Sequence, residues 1–202
     1  SECVAALLAV GSYAQVDSTF DYFLNRADVN RYGLLITLKN FLGLIGEPTE
    51  LLAAFDIAAK DEGFHRASPE LDRYLKSQPE PVRQRFDRYV TDHTFRLSQW
   101  EKICNRPEAQ KVFKAMDVID QSYHLTTALC LLHGRNDTVI PKEQSEMLYN
   151  RLRARLPVRL SISSMIDHGN VKPGLSLVRE SVSLLRTLSL FFDRVDAAKP
   201  VR

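Results

Sequence analysis

Two residues in this sequence have the side chains of a carboxylate–imidazole pair. Asp137 and His168 lie 31 positions apart, and each follows a segment with the pattern of a β-strand. A carboxylate that accepts a hydrogen bond from one ring nitrogen fixes the tautomer of an imidazole. The other nitrogen can then take a proton from a nucleophile. If the fold brings the two residues together, the sequence predicts general-base chemistry at this point.

The segments around this pair alternate between strands and helices. Residues 4–10 form a continuous apolar run typical of a strand buried on both faces, and 126–132 and 158–165 are two further strand segments. A helix is predicted after Pro141 and another over about 175–195. This alternation indicates a parallel sheet, in which functional groups collect beyond the carboxyl ends of the strands.

The middle of the chain, from 47 to about 123, has a helical pattern throughout. Several of its helices are expected to begin near a proline, because proline suits the first helical turn. The segment 32–44 is strongly apolar, and its periodicity does not distinguish a helix from a strand. The final helix is expected to carry one apolar stripe made of Val178, Val182, Leu185, Leu188, Phe192 and Val195.

The segment Leu131–Pro141, with the sequence LLHGRNDTVIP, resembles the α/β-hydrolase stretch in which a strand delivers the acid of the catalytic triad. The resemblance implies that Asp137 is the triad acid and that His168, after the next strand, is the base. It also implies an α/β fold with a partial α/β-hydrolase parallel sheet and a helical cap insertion. The core would comprise 1–32 and 124–202, and the cap 33–123.

The nucleophile of such a triad should precede the acid, in a G-x-S-x-G turn. No such motif occurs, and the G-x-S at Gly174–Ser176 follows both partners. In the favoured interpretation, residues 4–13 are the strand after the nucleophile helix, and a preceding segment or chain supplies the serine. In the other, Ser12 is an atypical nucleophile and Leu34–Leu38 is the next strand.

Simpler roles compete with the catalytic ones. Asp137 could be a turn residue, His168 a structural histidine, and His133 is expected to shape the acid loop. Six aromatic residues could line an acyl pocket or simply pack between cap helices; they are Phe41, Phe55, Phe64, Phe86, Phe95 and Trp100. The basic residues Arg83, Arg85 and Arg88 are expected to form a solvated face. The block 47–123 could instead be an independent interaction module.

Composition narrows the possible partners. The net charge of +2 does not favour a nucleic-acid partner, and no apolar run reaches the roughly 20 residues that span a bilayer. The widely spaced Cys3, Cys104 and Cys130 are expected to be free thiols in a reducing, cytoplasmic compartment. No metal or organic cofactor is implied, and a homo-oligomer is left open.

The resulting hypothesis is a serine hydrolase that acts on a small acyl substrate, an ester, a thioester or an amide. With its nucleophile missing, this chain alone is expected to show little or no activity. The alternative is a non-catalytic α/β-hydrolase-like binding protein.

Overall fold

A three-stranded parallel sheet organises the part of the chain that contains both termini. The structure is a computed structural model that describes residues 4–26, 31–63, 69–166 and 175–198. The strands are β1 (Ala6–Val10), β2 (Ala128–Gly134) and β3 (Val158–Ser163), in the spatial order β1–β2–β3. The expected α/β class with a parallel sheet is confirmed.

Helices account for most of the remaining described residues. In chain order they are α1 (Val16–Asn25), α2 (Arg31–Phe41), α3 (Thr49–Gly63), α4 (Pro69–Ser77), α5 (Glu80–Thr91), α6 (His93–Cys104), α7 (Pro107–Met116), α8 (Val118–Gln121), α9 (Glu143–Leu152) and α10 (Leu175–Ala197). Short 3-10 helices cover Leu42–Ile45 and Ser122–His124. The ambiguous segment 32–44 is therefore helical. The separate helix α6 was not predicted, although Asp92 caps it by accepting a hydrogen bond from the Phe95 amide at 2.9 Å.

The central strand β2 is buried along its whole length, as its apolar sequence predicted. On one face of the sheet, Leu129 and Leu131 of β2 pack against Leu148 and Leu152 of α9. Helix α10 contacts all three strands. It covers the opposite face, because side chains alternate along a strand and Ser163 of β3 faces Glu180 of α10.

The expectation that β1 is buried on both faces is wrong. Leu7 and Leu8 are each 39% exposed and Val10 is 59% exposed. The physical reason is that β1 pairs only with β2 within the described sheet. One edge of β1 and much of its side-chain surface therefore remain open.

Four residues of the apolar stripe predicted for α10 are exposed. Val178, Val182, Leu185 and Phe192 are between 41% and 65% exposed. The helix instead contacts the sheet with a face that includes the buried Glu180 and Thr187. The stripe is a real helical periodicity, but these four side chains are not buried against the sheet.

The chain divides into two compact units, Ser1–Thr19 with Asp117–Arg202, and Phe20–Met116. The core of the helical unit contains an aromatic cluster of Phe20, Phe41, Trp100 and Phe113, with ring centroids 5.2–5.8 Å apart. A second group pairs Phe55 with Phe86 at 4.8 Å. These aromatic residues pack between helices of one unit; Phe64 lies outside the described residues.

Candidate active site

The candidate acid, Asp137, lies in the loop that follows β2. Its Oδ1 accepts hydrogen bonds from the backbone amides of Val139 at 2.8 Å and Ile140 at 3.0 Å. These bonds close a tight turn and fix the orientation of the carboxyl group. The Asp137 side chain is 24% exposed, and its Oδ2 lies 3.7 Å from His133 Nε2, beyond hydrogen-bond distance. The carboxylate is therefore held by the backbone at the carboxyl end of a central strand.

His133, the sixth residue of β2, holds this loop through a hydrogen bond to its backbone. It is completely buried, with Nε2 2.8 Å from the Ile140 carbonyl and Nδ1 2.6 Å from Ser145 Oγ. A carbonyl oxygen only accepts hydrogen bonds, so Nε2 carries a proton. In the neutral ring, Nδ1 then accepts from Ser145. Both ring nitrogens are occupied, which is consistent with the loop-shaping role expected for His133.

The end of β1 lies beside the same loop. Gly11 has φ +59° and donates its amide to the Leu132 carbonyl at 2.8 Å. A Cβ at Gly11 would lie 3.5 Å from Asp137 Oδ2, which places this backbone next to the carboxylate. Ser12 follows, and its hydroxyl is 3.1 Å from Ser145 Oγ. The carboxyl ends of β1 and β2 thus meet at Asp137.

The turn after β3 is tied to the acid loop through Glu180 of α10. One carboxylate oxygen of Glu180, Oε2, accepts hydrogen bonds from the Ser164 amide at 2.8 Å, Ser164 Oγ at 2.9 Å and Ser163 Oγ at 3.1 Å. The other oxygen accepts from Arg135 Nη2 at 2.7 Å. Arg135 belongs to the loop that carries Asp137, and its amide bonds to the Ser163 carbonyl at 3.1 Å. Glu180 therefore fixes the ends of β2 and β3 relative to each other.

These donors also set the ionisation of Glu180. The backbone amide of Ser164, aided by the hydroxyls of Ser163 and Ser164 and by Arg135, lowers the pKa of Glu180 to about 2 against the opposing effect of burial. A carboxyl group with a depressed pKa stabilises the fold above its unfolded pKa of about 4.3. That contribution is lost as the pH falls from about 4.3 towards 2.

We expect Glu180→Gln to loosen the turn after β3 by about 2 kcal/mol at pH 7, because the charge-assisted hydrogen bonds are weakened. Amide hydrogen exchange at Ser164 reports this directly, since that amide donates to Glu180. Its protection factor should fall about 30-fold in the variant. The control Asp193→Asn, which neutralises an exposed carboxylate on α10, should leave the protection factor of the Ser164 amide unchanged. An unaltered protection factor in Glu180→Gln would contradict the anchoring role.

The structure places Asp137 where the sequence predicted, at the carboxyl end of a parallel strand. His168 and Asp167 lie outside the described residues. The described chain reaches Ile166, whose amide is 3.4 Å from the Ser163 carbonyl. Because β2 and β3 are adjacent and parallel, their carboxyl ends lie at the same end of the sheet. The segment that leads from β3 towards His168 therefore starts at the same end of the sheet as the Asp137 loop.

Three residues that hold this end of the sheet together were not predicted from the sequence: Glu180, Ser145 and Gln144. The Gln144 Oε1 accepts from the backbone amides of Ala14 and Gln15 at 2.8 and 2.9 Å, which fixes the chain after β1. The partners of these residues are far away in the sequence, so local patterns gave no signal for them. A glutamate and a glutamine that are almost fully buried in helices become informative only once the fold is known.

Some features are absent from the described part of the chain. Its histidine, cysteine, aspartate and glutamate side chains form no group of three that could hold a metal ion. None of its helices has both the length and the hydropathy needed to cross a bilayer. In comparisons with known proteins, no family model, no curated protein and no solved structure matches this chain.

Proposed function

We propose that this chain carries the acid and the base of a serine hydrolase of the α/β-hydrolase class. The observation that carries the proposal is the Asp137 carboxylate, which the Val139 and Ile140 amides orient at the carboxyl end of β2. The segment that leads towards His168 starts at the carboxyl end of β3, the adjacent parallel strand. In this proposal, Asp137 accepts a hydrogen bond from His168 and stabilises the imidazolium that forms during the reaction.

The reaction would be hydrolysis of an ester, a thioester or an amide. His168 takes the proton from a serine hydroxyl as that oxygen attacks the acyl carbon, and then gives the proton to the leaving group. In the second half-reaction, His168 takes a proton from the water that attacks the acyl-enzyme. It returns that proton to the serine oxygen as the acyl–oxygen bond breaks and the acid product is released. The helical unit, inserted between β1 and β2, would correspond to the cap of this family.

The serine in this proposal comes from a segment outside the given sequence. Two features of β1 support a missing neighbour. Its outer edge is unpaired within the described sheet, and an apolar groove of about 500 Å³ lies beside it, lined in part by Leu7, Leu8, Leu129 and Leu148. An edge strand flanked by an apolar groove suits a further parallel strand and its crossover helix.

Ser12 is a weaker candidate for the nucleophile. Its hydroxyl is engaged with Ser145, and helix α1 begins only at Val16, whereas the turn of a G-x-S-x-G motif leads directly into a helix. That interpretation also required Leu34–Leu38 to be a strand, and this segment lies in α2. The prediction of a strand at Leu34–Leu38 is therefore wrong. The apolar side chains of Leu34, Leu35 and Leu38 are buried by packing within the helical unit.

The test is labelling with a fluorophosphonate probe, which reacts with activated serines. The polypeptide should include this chain and the sequence encoded upstream of it. We expect labelling of a serine upstream of Val4 and a loss of at least about 10³-fold in its rate in His168→Ala. His93→Ala, which changes an exposed histidine of the helical unit, is the matched control and should label normally.

Two outcomes would refute the enzyme proposal. One is the absence of labelling in the extended polypeptide, which would favour the non-catalytic binding protein. The other is labelling that continues at the normal rate in His168→Ala.

A further inference from the structure

A basic groove runs along the outer edge of β3, away from Asp137. It has a volume of about 660 Å³ and lies between β3, α9 and α10. Its charged lining residues are Arg159 of β3 and Arg179 and Arg186 of α10, with no acidic residue among the side chains that line it. No ion pair or hydrogen bond joins these three guanidinium groups to another described residue. The groove therefore contains three arginines without an ion-pair partner among the described residues.

The backbone of β3 offers a second feature, an open ladder of hydrogen-bonding groups. The carbonyls of Pro157 and Ser163 accept bonds from Leu129 and Arg135 on the β2 side, at 3.0 and 3.1 Å. Since alternate residues of a strand turn their N–H and C=O groups to opposite sides, Val158, Leu160 and Ile162 turn theirs outward. The Ile162 carbonyl already accepts a hydrogen bond from Arg135 Nη2 at 3.4 Å, so the open groups are those of Val158 and Leu160. Val158 and Leu160 line the groove. Another extended chain can pair with this edge.

The two sides of the groove differ in character. On the α10 side are the three arginines, because Arg159 shares the face of Ser163, which contacts Glu180. On the α9 side, Val158 and Leu160 pack with Tyr149. A strand added here would have alternate side chains on these two sides. A peptide that binds here as a strand would thus need alternating acidic and apolar residues.

We infer that the β3 edge binds an acidic peptide segment as a fourth strand, with carboxylates facing Arg159, Arg179 and Arg186 and apolar side chains facing Tyr149. The groove follows α10 from Val178 to Thr187, about 13 Å at 1.5 Å per residue, which matches four or five residues of extended chain. Backbone pairing gives affinity, and the alternating pockets give specificity. This interaction is independent of the proposed hydrolase activity.

The probe is a fluorescein-labelled heptapeptide, Val-Glu-Val-Glu-Val-Glu-Val, whose binding is measured by fluorescence anisotropy at low salt. We expect saturable binding that weakens as salt is added. The double variant Arg159→Glu/Arg179→Glu should weaken binding at least 10-fold. Lys111→Glu, which reverses one exposed charge in the helical unit, is the control and should bind as the wild type does.

Two altered peptides test the strand geometry. A block peptide of the same composition, Glu-Glu-Glu-Val-Val-Val-Val, keeps the charge but loses the alternation. A peptide N-methylated at alternate amides keeps the side chains but loses the donors to β3. Each should bind at least 10-fold more weakly than the alternating peptide. Equal binding of either peptide, unchanged binding by the double variant, or no binding by the wild type would overturn the inference.

Discussion

Asp137→Asn is expected to lower the hydrolytic rate of the nucleophile-containing protein by about 10⁴-fold with little change in stability. Asparagine keeps the side-chain oxygen that accepts from the Val139 and Ile140 amides, so the acid loop should retain its shape. What it removes is the negative charge that would orient His168 and stabilise the imidazolium. The rate of acyl-ester hydrolysis under saturating substrate measures the effect.

A second substitution separates charge from loop structure. Asp137→Ala removes both the charge and the acceptor of the two amides, and should lower stability by about 1 kcal/mol in addition to the loss of rate. If Asp137→Asn hydrolyses substrate within 10-fold of the wild-type rate, Asp137 is a turn residue and the triad assignment fails.

Arg85→Leu is expected to destabilise the helical unit by about 3 kcal/mol at pH 7. Glu47, whose side chain is 4% exposed, accepts from Arg85 Nε at 2.8 Å and from Tyr89 Oη at 2.6 Å. Burial disfavours its charge, but the hydrogen bonds from Arg85 and Tyr89 outweigh burial and hold the pKa of Glu47 below its ordinary value. Removing Arg85 leaves a buried carboxylate without its cation, which is costly.

Urea unfolding followed by the fluorescence of Trp100 measures this loss, because the chain contains a single tryptophan and it lies in the helical unit. The matched control is Arg83→Leu on the same helix, which should change stability by less than about 0.5 kcal/mol. In Arg85→Leu the uncompensated Glu47 should take up a proton more readily. The difference from the wild type should therefore shrink as the pH is lowered from 7 to 5. A pH-independent difference would contradict the buried-charge explanation.

The basic residues of α5 show that the sequence did not predict the tertiary partners of a helix face. Arg83, Arg85 and Arg88 were expected to form a solvated face. Arg85 instead pairs with Glu47, 38 positions away, and Arg88 lies 3.9 Å from the centre of the Phe95 ring. Spacing along a helix predicts which residues share a face, but the partner of that face depends on the tertiary fold.

The strands show the same distinction between local pattern and environment. The apolar run of β2 and the similar run of β1 both predicted strands, and both predictions were correct. Only β2 is buried, because it has a neighbour on each side and β1 has one within the described sheet. An apolar run shows that a strand favours burial, whereas its actual burial depends on the elements around it.

The candidate site was predictable where it depends on strand ends and their loops. The position of Asp137 followed from the apolar run before it and the turn residues around it. The anchoring of the edge by Glu180 was not predictable, because its contacts with Arg135 and Ser164 join residues 45 and 16 positions apart. Those contacts arise only when α10 packs on the sheet.

The proposed pairing of Asp137 with His168 can be tested by NMR titration of the His168 imidazole in this chain and in its Asp137→Asn variant. This titration requires neither the nucleophile nor a substrate. A carboxylate paired with an imidazole favours the charged ring. We therefore expect the midpoint of the His168 titration to move to lower pH in Asp137→Asn, while those of His93 and His124 stay unchanged. A His168 midpoint that is the same in both proteins would contradict the pairing of Asp137 with His168.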